Sequence, residues 1–414
     1  MNDKILIIGA GQAGMQIADS LREEGYTGDV TMVGEEPYIP YQRPPLSKAF
    51  LSGEMDEESL EFRNEHFYSE NNITVVTKEK ITSVEMTTHG GLAKGASGTS
   101  YEFDRLALTT GADPRKLKIP GADLDGVLYM RNLTDAKELK KRWDSITNLV
   151  VIGGGFIGLE IAAGGTKAGK NVTVLQSGQR LMGRAVSPLV SDFYVAAHQR
   201  RGTTIRLGAQ LHQVVGENGK VTGVELADGE IVPADAIVVG IGVNVRGELA
   251  DQLALDMFDG VIVVNEFAET SNPLVVAAGD AVSGPHPLGH EGNVHLESVQ
   301  NAVDQAKVAA KTLAGKKEPY RAVPWFWSDQ ADLKLQIAGL SSGYDHTVVR
   351  GNPDEEKFSV LYYRNGELLA IDAVNDVSDY MAVRRALTAG ATIPADAAAD
   401  SSVALKTLIT GGEA

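Results

Sequence analysis

Two stretches carry residues whose type and spacing suit the binding of a pyrophosphate. Gly9, Gly11 and Gly14 follow the apolar run Ile5-Leu6-Ile7-Ile8. Gly153, Gly155 and Gly158 follow Leu149-Val150-Val151-Ile152. Each is a G-x-G-x-x-G pattern placed after a strand and before a helix, the fingerprint of a dinucleotide site. The first glycine allows a tight turn, the second lets the backbone approach the pyrophosphate, and the third lets helix and strand pack closely. The helix start then presents free N–H groups and the positive end of its dipole to the phosphates. Two such patterns in one chain point to two dinucleotides held by one protein.

Other candidates stand at the ends of apolar runs. Val30 to Val33 is followed by Glu35 and Glu36. An acid about 20 residues past the glycines accepts hydrogen bonds from the adenosine ribose; Glu35 is the first choice and Glu36 the second, against two solvated loop acids. At the matching place in the second unit, after Val172 to Leu175, stands Gln176. An amide can donate or accept at a ribose but carries no charge, and Arg180 and Arg184 follow nearby. Asp280 follows the apolar run from Leu274 to Ala278 and Gly279, which puts it at the carboxyl end of a sheet, where ligands sit in such folds; the alternative is a helix cap. In Arg43-Pro44-Pro45-Leu46-Ser47-Lys48 two prolines stiffen the backbone. Arg43 and Lys48 are thereby held for a pyrophosphate or an electron-rich ring, or the segment is simply a rigid loop. Trp325 and Trp327 alternate in an extended segment and share one face, in a core or at a site.

These residues need a scaffold, and the chain is long enough to build one from two to three domains. The runs 4–8, 30–33, 149–152 and 172–175 read as parallel strands alternating with helices over about 12–24, 135–145, 156–167, 187–201 and 297–314. Residues 54–70 read as a charged surface helix and His89 to Ser100 as a Gly-rich hairpin turn. Beyond Pro324, four runs between 333 and 374 read as antiparallel strands. Asp376 to Ala389 and Val403 to Ile409 read as helices. The fold class is α/β: two Rossmann-like dinucleotide-binding domains and a C-terminal α+β domain.

The formal net charge is −17. That argues against nucleic acid and against an anionic membrane as partners. There is no Cys, so the chain has no disulfide, no thiolate nucleophile and no Cys-ligated zinc or iron–sulfur cluster, and no metal site is read. No apolar run reaches the length of a membrane span, and the first fingerprint begins too early for a secretory pattern. A cytoplasmic enzyme is expected.

Taken together, the two glycine patterns, Arg43-Pro44-Pro45-Leu46-Ser47-Lys48, Gly279-Asp280, Glu297-Ser298-Val299-Gln300-Asn301-Ala302 and Pro324-Trp325-Phe326-Trp327-Ser328-Asp329-Gln330 resemble the FAD-dependent NADH:ferredoxin reductases that serve oxygenases. The resemblance runs through nearly the whole chain in order, and the Arg43–Lys48 and Trp325–Gln330 runs are its specific parts. It implies a glutathione-reductase-like fold without redox cysteines. An FAD-binding domain would comprise 1–115 and 245–322, an NADH-binding domain 116–244, and a C-terminal domain 323–414. Gly9, Gly11, Ala13 and Gly14 would wrap the FAD pyrophosphate and Glu35 its ribose. Ile81 would meet the adenine end, and Arg43, Lys48 and Arg131 would contact the FAD. Asp280 would bind the ribitol and Val299 the flavin edge. Gly153, Gly155, Ile157, Gly158, Gln176, Arg184 and Gly242 would line the NADH site. Glu160 would pair with Lys48 beside the nicotinamide, and Trp327 would lie near the flavin ring. Hydride would pass from NADH to flavin N5, and single electrons from flavin to a [2Fe-2S] ferredoxin that supplies a cytochrome or Rieske-type oxygenase.

The chain departs from the family pattern in four places. Gln176 replaces an acid, which loosens the preference for NADH over NADPH. Asn244-Val245-Arg246-Gly247 stands where a Pro-Asn pair is usual, His295 where Arg is common, and Ala331 where Tyr is common. Three other readings compete. A flavin NADH oxidase or peroxidase needs a redox Cys that is missing. An apoptosis-inducing-factor-like protein would favour a basic surface. A reductase of a small radical, similar to monodehydroascorbate reductase, also passes single electrons and differs in its acceptor.

Overall fold

The computed structural model describes residues 3–412. The chain forms two compact units, one of residues 1–42, 57–113 and 244–324, the other of 43–56, 114–243 and 325–414.

The first unit is built on a five-stranded parallel sheet. Its order is Val275–Ala277, Arg105–Leu108, Ile5–Ile8, Val30–Val33 and Ile73–Val76. Alternate side chains of a strand point to opposite faces, and both faces are covered here. Ile5, Ile7, Val30 and Met32 pack against Met15, Ile17 and Leu21 of the helix Gln12–Glu23 and against the alanine-rich side of Val299–Leu313. Leu6, Ile8, Leu106 and Leu108 share a second core with Ile81, Val84, Ala93 and Phe103. The last four belong to a three-stranded antiparallel sheet, Ile81–Thr87, Gly90–Gly95 and Ser100–Phe103. The Gly-rich run expected to be a turn is therefore mostly strand. Gly90 and Gly91 are needed because Phe103 crosses over them: a Cβ on Gly91 would stand 2.5 Å from the Phe103 ring. Glycine in a strand marks such a close approach. The expected helix over 54–70 is only a single turn at Glu58–Leu60 and the helix Glu65–Glu70.

The second unit repeats the parallel plan. Thr204–Leu207, Asn171–Gln176, Asn148–Ile152, Ala236–Val239 and Val127–Tyr129 lie side by side in that order, and Phe156–Lys167 follows the second glycine turn. A five-stranded antiparallel sheet completes the unit, in the order Trp325–Gln330, Leu333–Gly339, Glu367–Val374, Lys357–Arg364 and His346–Asn352. The helix Val377–Thr388 follows it. Thus α/β organisation in both units, with a C-terminal antiparallel sheet, is what the hydrophobic periodicity implied.

The expected helix over 403–409 is a correction: only Leu405–Thr407 makes one turn. A buried cation holds the first residue of this segment and the chain before it. Arg350 donates to the carbonyls of Ala398, Asp400 and Val403 and pairs with Asp379 at 3.0 Å, while the Ser359 hydroxyl donates to the same carboxylate at 2.6 Å. These carbonyls find partners without helix formation, which is what a buried backbone requires.

A second buried acid sits in the same sheet. Asp372 accepts from the Tyr362 hydroxyl, its Oδ1 has no partner among the described residues, and burial pushes its carboxyl up to about 7.

Two outcomes follow. Arg350→Ala leaves Asp379 buried without its cation and should lower unfolding free energy by roughly 3–5 kcal/mol, measurable by denaturant titration. Asp372 ionises near 3.8 when unfolded and near 7 when folded, so folding takes up a proton between those values and stability falls as pH rises through that window. Asp372→Asn should abolish this contribution. Between pH 5 and 8, wild type should lose on the order of 2 kcal/mol relative to that variant.

Candidate functional site

Each unit places a glycine turn at the carboxyl end of its central strand, and the two turns have the same build. Gly9 has φ +116°, and a Cβ there would stand 2.1 Å from the Thr109 carbonyl oxygen. A Cβ on Gly14 would stand 1.9 Å from the Gly9 oxygen, whereas one on Gly11 would meet nothing within 4 Å. In the second turn Gly153 has φ +111°, with a hypothetical Cβ 2.2 Å from the Gly240 oxygen. On Gly158 it would lie 2.6 Å from the Gly153 oxygen, and on Gly155 it would meet nothing. The outer glycines are therefore fixed by the fold itself, and the middle glycine faces open space. Gly11 and Gly155 are also the N-caps of their helices, and neither makes a side-chain cap. The first-turn N–H groups are left for a ligand, as an anion site at a helix start requires. Both cradles fit a dinucleotide pyrophosphate.

In the first unit Thr109 completes the turn; its hydroxyl donates to the Gly9 carbonyl at 2.9 Å. Glu35 is exposed at the end of its strand and paired with Arg246 at 2.7 Å, with Lys80 at 3.9 Å. Arg246 also holds Asp113 at 2.7 Å. Glu36 accepts from the Tyr41 hydroxyl at 2.5 Å. Ile81 is buried at the start of its strand. The Gly279-Asp280 turn is pinned from below: Gln305 Oε1 accepts from the Gly279 N–H at 3.0 Å and from Asn301 Nδ2 at 3.3 Å. The Asp280 carbonyl lies 2.8 Å from His295 Nε2. Val299 opens its helix, capped by Ser298, whose hydroxyl accepts from the Asn301 N–H at 3.1 Å.

In the second unit the structure joins Lys48 to Glu160. Pro44–Ser47 forms a single tight turn that ends at Lys48. Lys48 Nζ lies 2.9 Å from Glu160 Oε1, with the carboxylate 5% exposed. Ser47 donates to the other oxygen at 2.7 Å, and Ser328 to Oε1 at 2.8 Å. Gln330 Nε2 donates to Ser328 at 3.2 Å, and its Oε1 lies 2.8 Å from His198 Nε2. Burial of the His198 ring lowers its pKa. A buried carboxylate thus has one cation and two hydroxyl donors, the condition under which buried charge is tolerated.

Around this pair, Arg43 donates to the Arg131 carbonyl at 2.8 Å. Trp325 and Trp327 share one face, with ring centroids 5.6 Å apart, while Ser328 and Gln330 project to the buried side. Gln176 accepts from the Gly154 N–H at 2.9 Å. Arg184 Nη2 lies 4.0 Å from where a Cβ of Gly242 would be. Ile157 is exposed beside the second glycine turn.

Sequence reasoning missed Ser47, Ser328, Gln330, Thr109 and Gln305. The first three lie inside or at the end of motifs already singled out, but hydroxyls and amides carry no spacing signal of their own. Arg246 was visible only as a departure from a pattern.

Comparison with known proteins gives the same outline. Residues 3–306 match the family model described as pyridine nucleotide-disulphide oxidoreductase, and residues 325–409 the one described as reductase C-terminal. The chain is 42% identical to rhodocoxin reductase of Rhodococcus erythropolis over 98% of this chain and 94% of that one. It overlays a solved ferredoxin reductase of Rhodopseudomonas palustris with TM-score 0.94 at 40% identity, covering 99% and 100% of the two chains. It overlays the reductase of a covalent putidaredoxin reductase–putidaredoxin complex equally well, at 37% identity and 98% coverage of each.

The glycine geometry separates folding from binding. Gly155→Ala fills open space and should change stability by no more than about 0.5 kcal/mol. It should weaken binding of a dinucleotide at this turn about tenfold or more, because the backbone can no longer approach the pyrophosphate. Gly158→Ala should instead destabilise the fold. Thermal melts and nucleotide titration of the two variants check both expectations.

Proposed function

The chain belongs to the pyridine nucleotide-disulphide oxidoreductase family, and from that premise we propose that it is an FAD-dependent NADH:ferredoxin oxidoreductase feeding an oxygenase. The observation that carries this reading is the twice-built glycine turn, one in each unit, in a chain without cysteine. One dinucleotide is the resident flavin and the other the reductant. With no cysteine pair in these residues, electrons leave by a route other than a protein disulfide. Two relatives are by name reductases of rhodocoxin and of putidaredoxin, and a [2Fe-2S] ferredoxin is the acceptor proposed here. Among the described residues no helix is long and apolar enough to cross a membrane. The cytoplasm, where NADH is regenerated, is the proposed compartment.

Residues 1–115 and 245–322 would form the FAD domain, 116–244 the NADH domain and 323–414 the C-terminal domain. Gly9, Gly11, Ala13 and Gly14 would hold the FAD pyrophosphate, Glu35 the ribose, Ile81 the adenine end, and Asp280 and Val299 the flavin half. Arg43, Lys48, Arg131 and Trp327 would contact the FAD as well. FAD, when bound, supplies the exchange between a two-electron donor and a one-electron acceptor. The protein supplies position and charge. Gly153, Gly155, Ile157, Gly158, Arg184 and Gly242 would orient the reductant. Glu160, clamped by Ser47 and Ser328, fixes the Lys48 ammonium in one place. A fixed cation stabilises negative charge that develops beside it without any reorganisation. No side chain needs to act as acid or base.

Anaerobic stopped-flow tests the reading. NADH should bleach the flavin of the purified protein rapidly, and cytochrome c reduction should then depend on an added [2Fe-2S] ferredoxin. Lys48→Ala should slow bleaching roughly 10- to 100-fold. Bleaching without ferredoxin dependence would move the acceptor to a small molecule, and a colourless protein that binds no FAD would refute the reading.

A further inference from the structure

We propose that the pyridine nucleotide site of this chain admits a 2′-phosphorylated dinucleotide, NADPH, alongside NADH, and that Gln176 is the residue that permits it. The inference rests on the assignment of the second glycine turn to the pyridine nucleotide.

Asn171–Gln176 runs parallel to Asn148–Ile152 with Leu175 opposite Ile152, so Gln176 stands at the carboxyl edge beside the glycine turn. In a site selective for NAD this position carries a carboxylate, which takes hydrogen bonds from the ribose 2′-OH and repels a 2′-phosphate. Gln176 is neutral, and both ends of its amide are engaged within the protein. Its Oε1 accepts from the Gly154 N–H at 2.9 Å, and its Nε2 donates to the Arg180 carbonyl at 3.3 Å. A glutamate could make the first bond but not the second. The amide closes the loop that follows it onto the glycine turn. Met182 N–H donates to the Gly154 carbonyl at 2.8 Å, and a Cβ on Gly178 would lie 2.8 Å from Gln176 Nε2.

That loop also carries two cations, Arg180 and Arg184. Arg180 is held on its own loop by a bond from Nη2 to the Gly183 carbonyl at 2.7 Å. Arg184 has no hydrogen bond or ion pair with any of the described residues, and its guanidinium lies against Gly242 beside Arg115. Arg115 in turn donates to the Val243 carbonyl at 2.9 Å. Guanidinium groups are the usual partners of phosphate. The first unit differs at the matching place: Glu35 is charged and paired with Arg246.

The test is calorimetric titration of the FAD-loaded protein with NAD+ and NADP+, on wild type and Gln176→Glu. In wild type the two dissociation constants should agree within about tenfold. Gln176→Glu should weaken NADP+ relative to NAD+ by about tenfold or more, the scale of one like-charge contact. NAD+ binding with NADP+ weaker by more than about a hundredfold in wild type overturns the inference, whether or not the variant folds. An unchanged NADP+ affinity in a folded Gln176→Glu variant overturns the role of Gln176. If neither nucleotide binds, the assignment of the second glycine turn fails and the inference falls with it.

Discussion

The structure depends first on backbone meeting backbone at the ends of two central strands. At Gly9 against Thr109 and at Gly153 against Gly240, main-chain atoms approach so closely that no Cβ fits between them. This contact turns the chain sharply from strand to helix. It brings the first turn of the helix over the strand end, with its N–H groups unclaimed by any side-chain cap. The second close contact, Gly14 or Gly158 against the turn, sets the distance between helix and sheet. The open middle glycine of each turn is positioned by these contacts.

The second constraint is electrostatic. Glu160 is carried into the second unit by the helix that the glycine turn starts, and it is almost wholly buried. Left alone, such a carboxylate would cost several kcal/mol. Two separate segments supply its partners: Ser47 and Lys48 from the rigid proline turn, and Ser328 from the tryptophan strand. Satisfying one charge therefore ties three stretches of sequence together. It also explains why a strand with three large aromatics keeps a fully buried serine and glutamine on its inner side.

Much of this was legible in the sequence, because glycine spacing and the alternation of apolar runs report backbone geometry directly. The parallel strands, their helices and the facing tryptophans followed from periods of two and 3.6. What stayed hidden has a common cause. Gly90 to Gly95 reads locally as a turn, but Gly90 and Gly91 answer to Phe103, which is remote from Gly91 along the chain and adjacent in space. Residues 403–409 have helical periodicity, yet the carbonyls of Val403 and of Ala398 before it are taken by Arg350 from a strand. Ser47 and Ser328 gain meaning only when Glu160 lies between them. Local pattern reports local geometry, while long-range partners appear only in the fold.

The two glycine turns show how one architecture can carry two different strand ends. After the first turn, Glu35 is a full charge held from outside by Arg246, itself braced by Asp113. Its ionised oxygens are set in place before any ligand arrives, which reduces the ordering that binding must impose. After the second turn, Gln176 directs its amide inward to the loop and offers no charge. Its neighbouring cations Arg180 and Arg184 lie on a loop closed by that amide and by the Met182–Gly154 bond. One turn is thus followed by a braced carboxylate, the other by a neutral amide that is engaged within the protein. The difference lies in one side chain at the end of one strand, on backbones that are otherwise built alike.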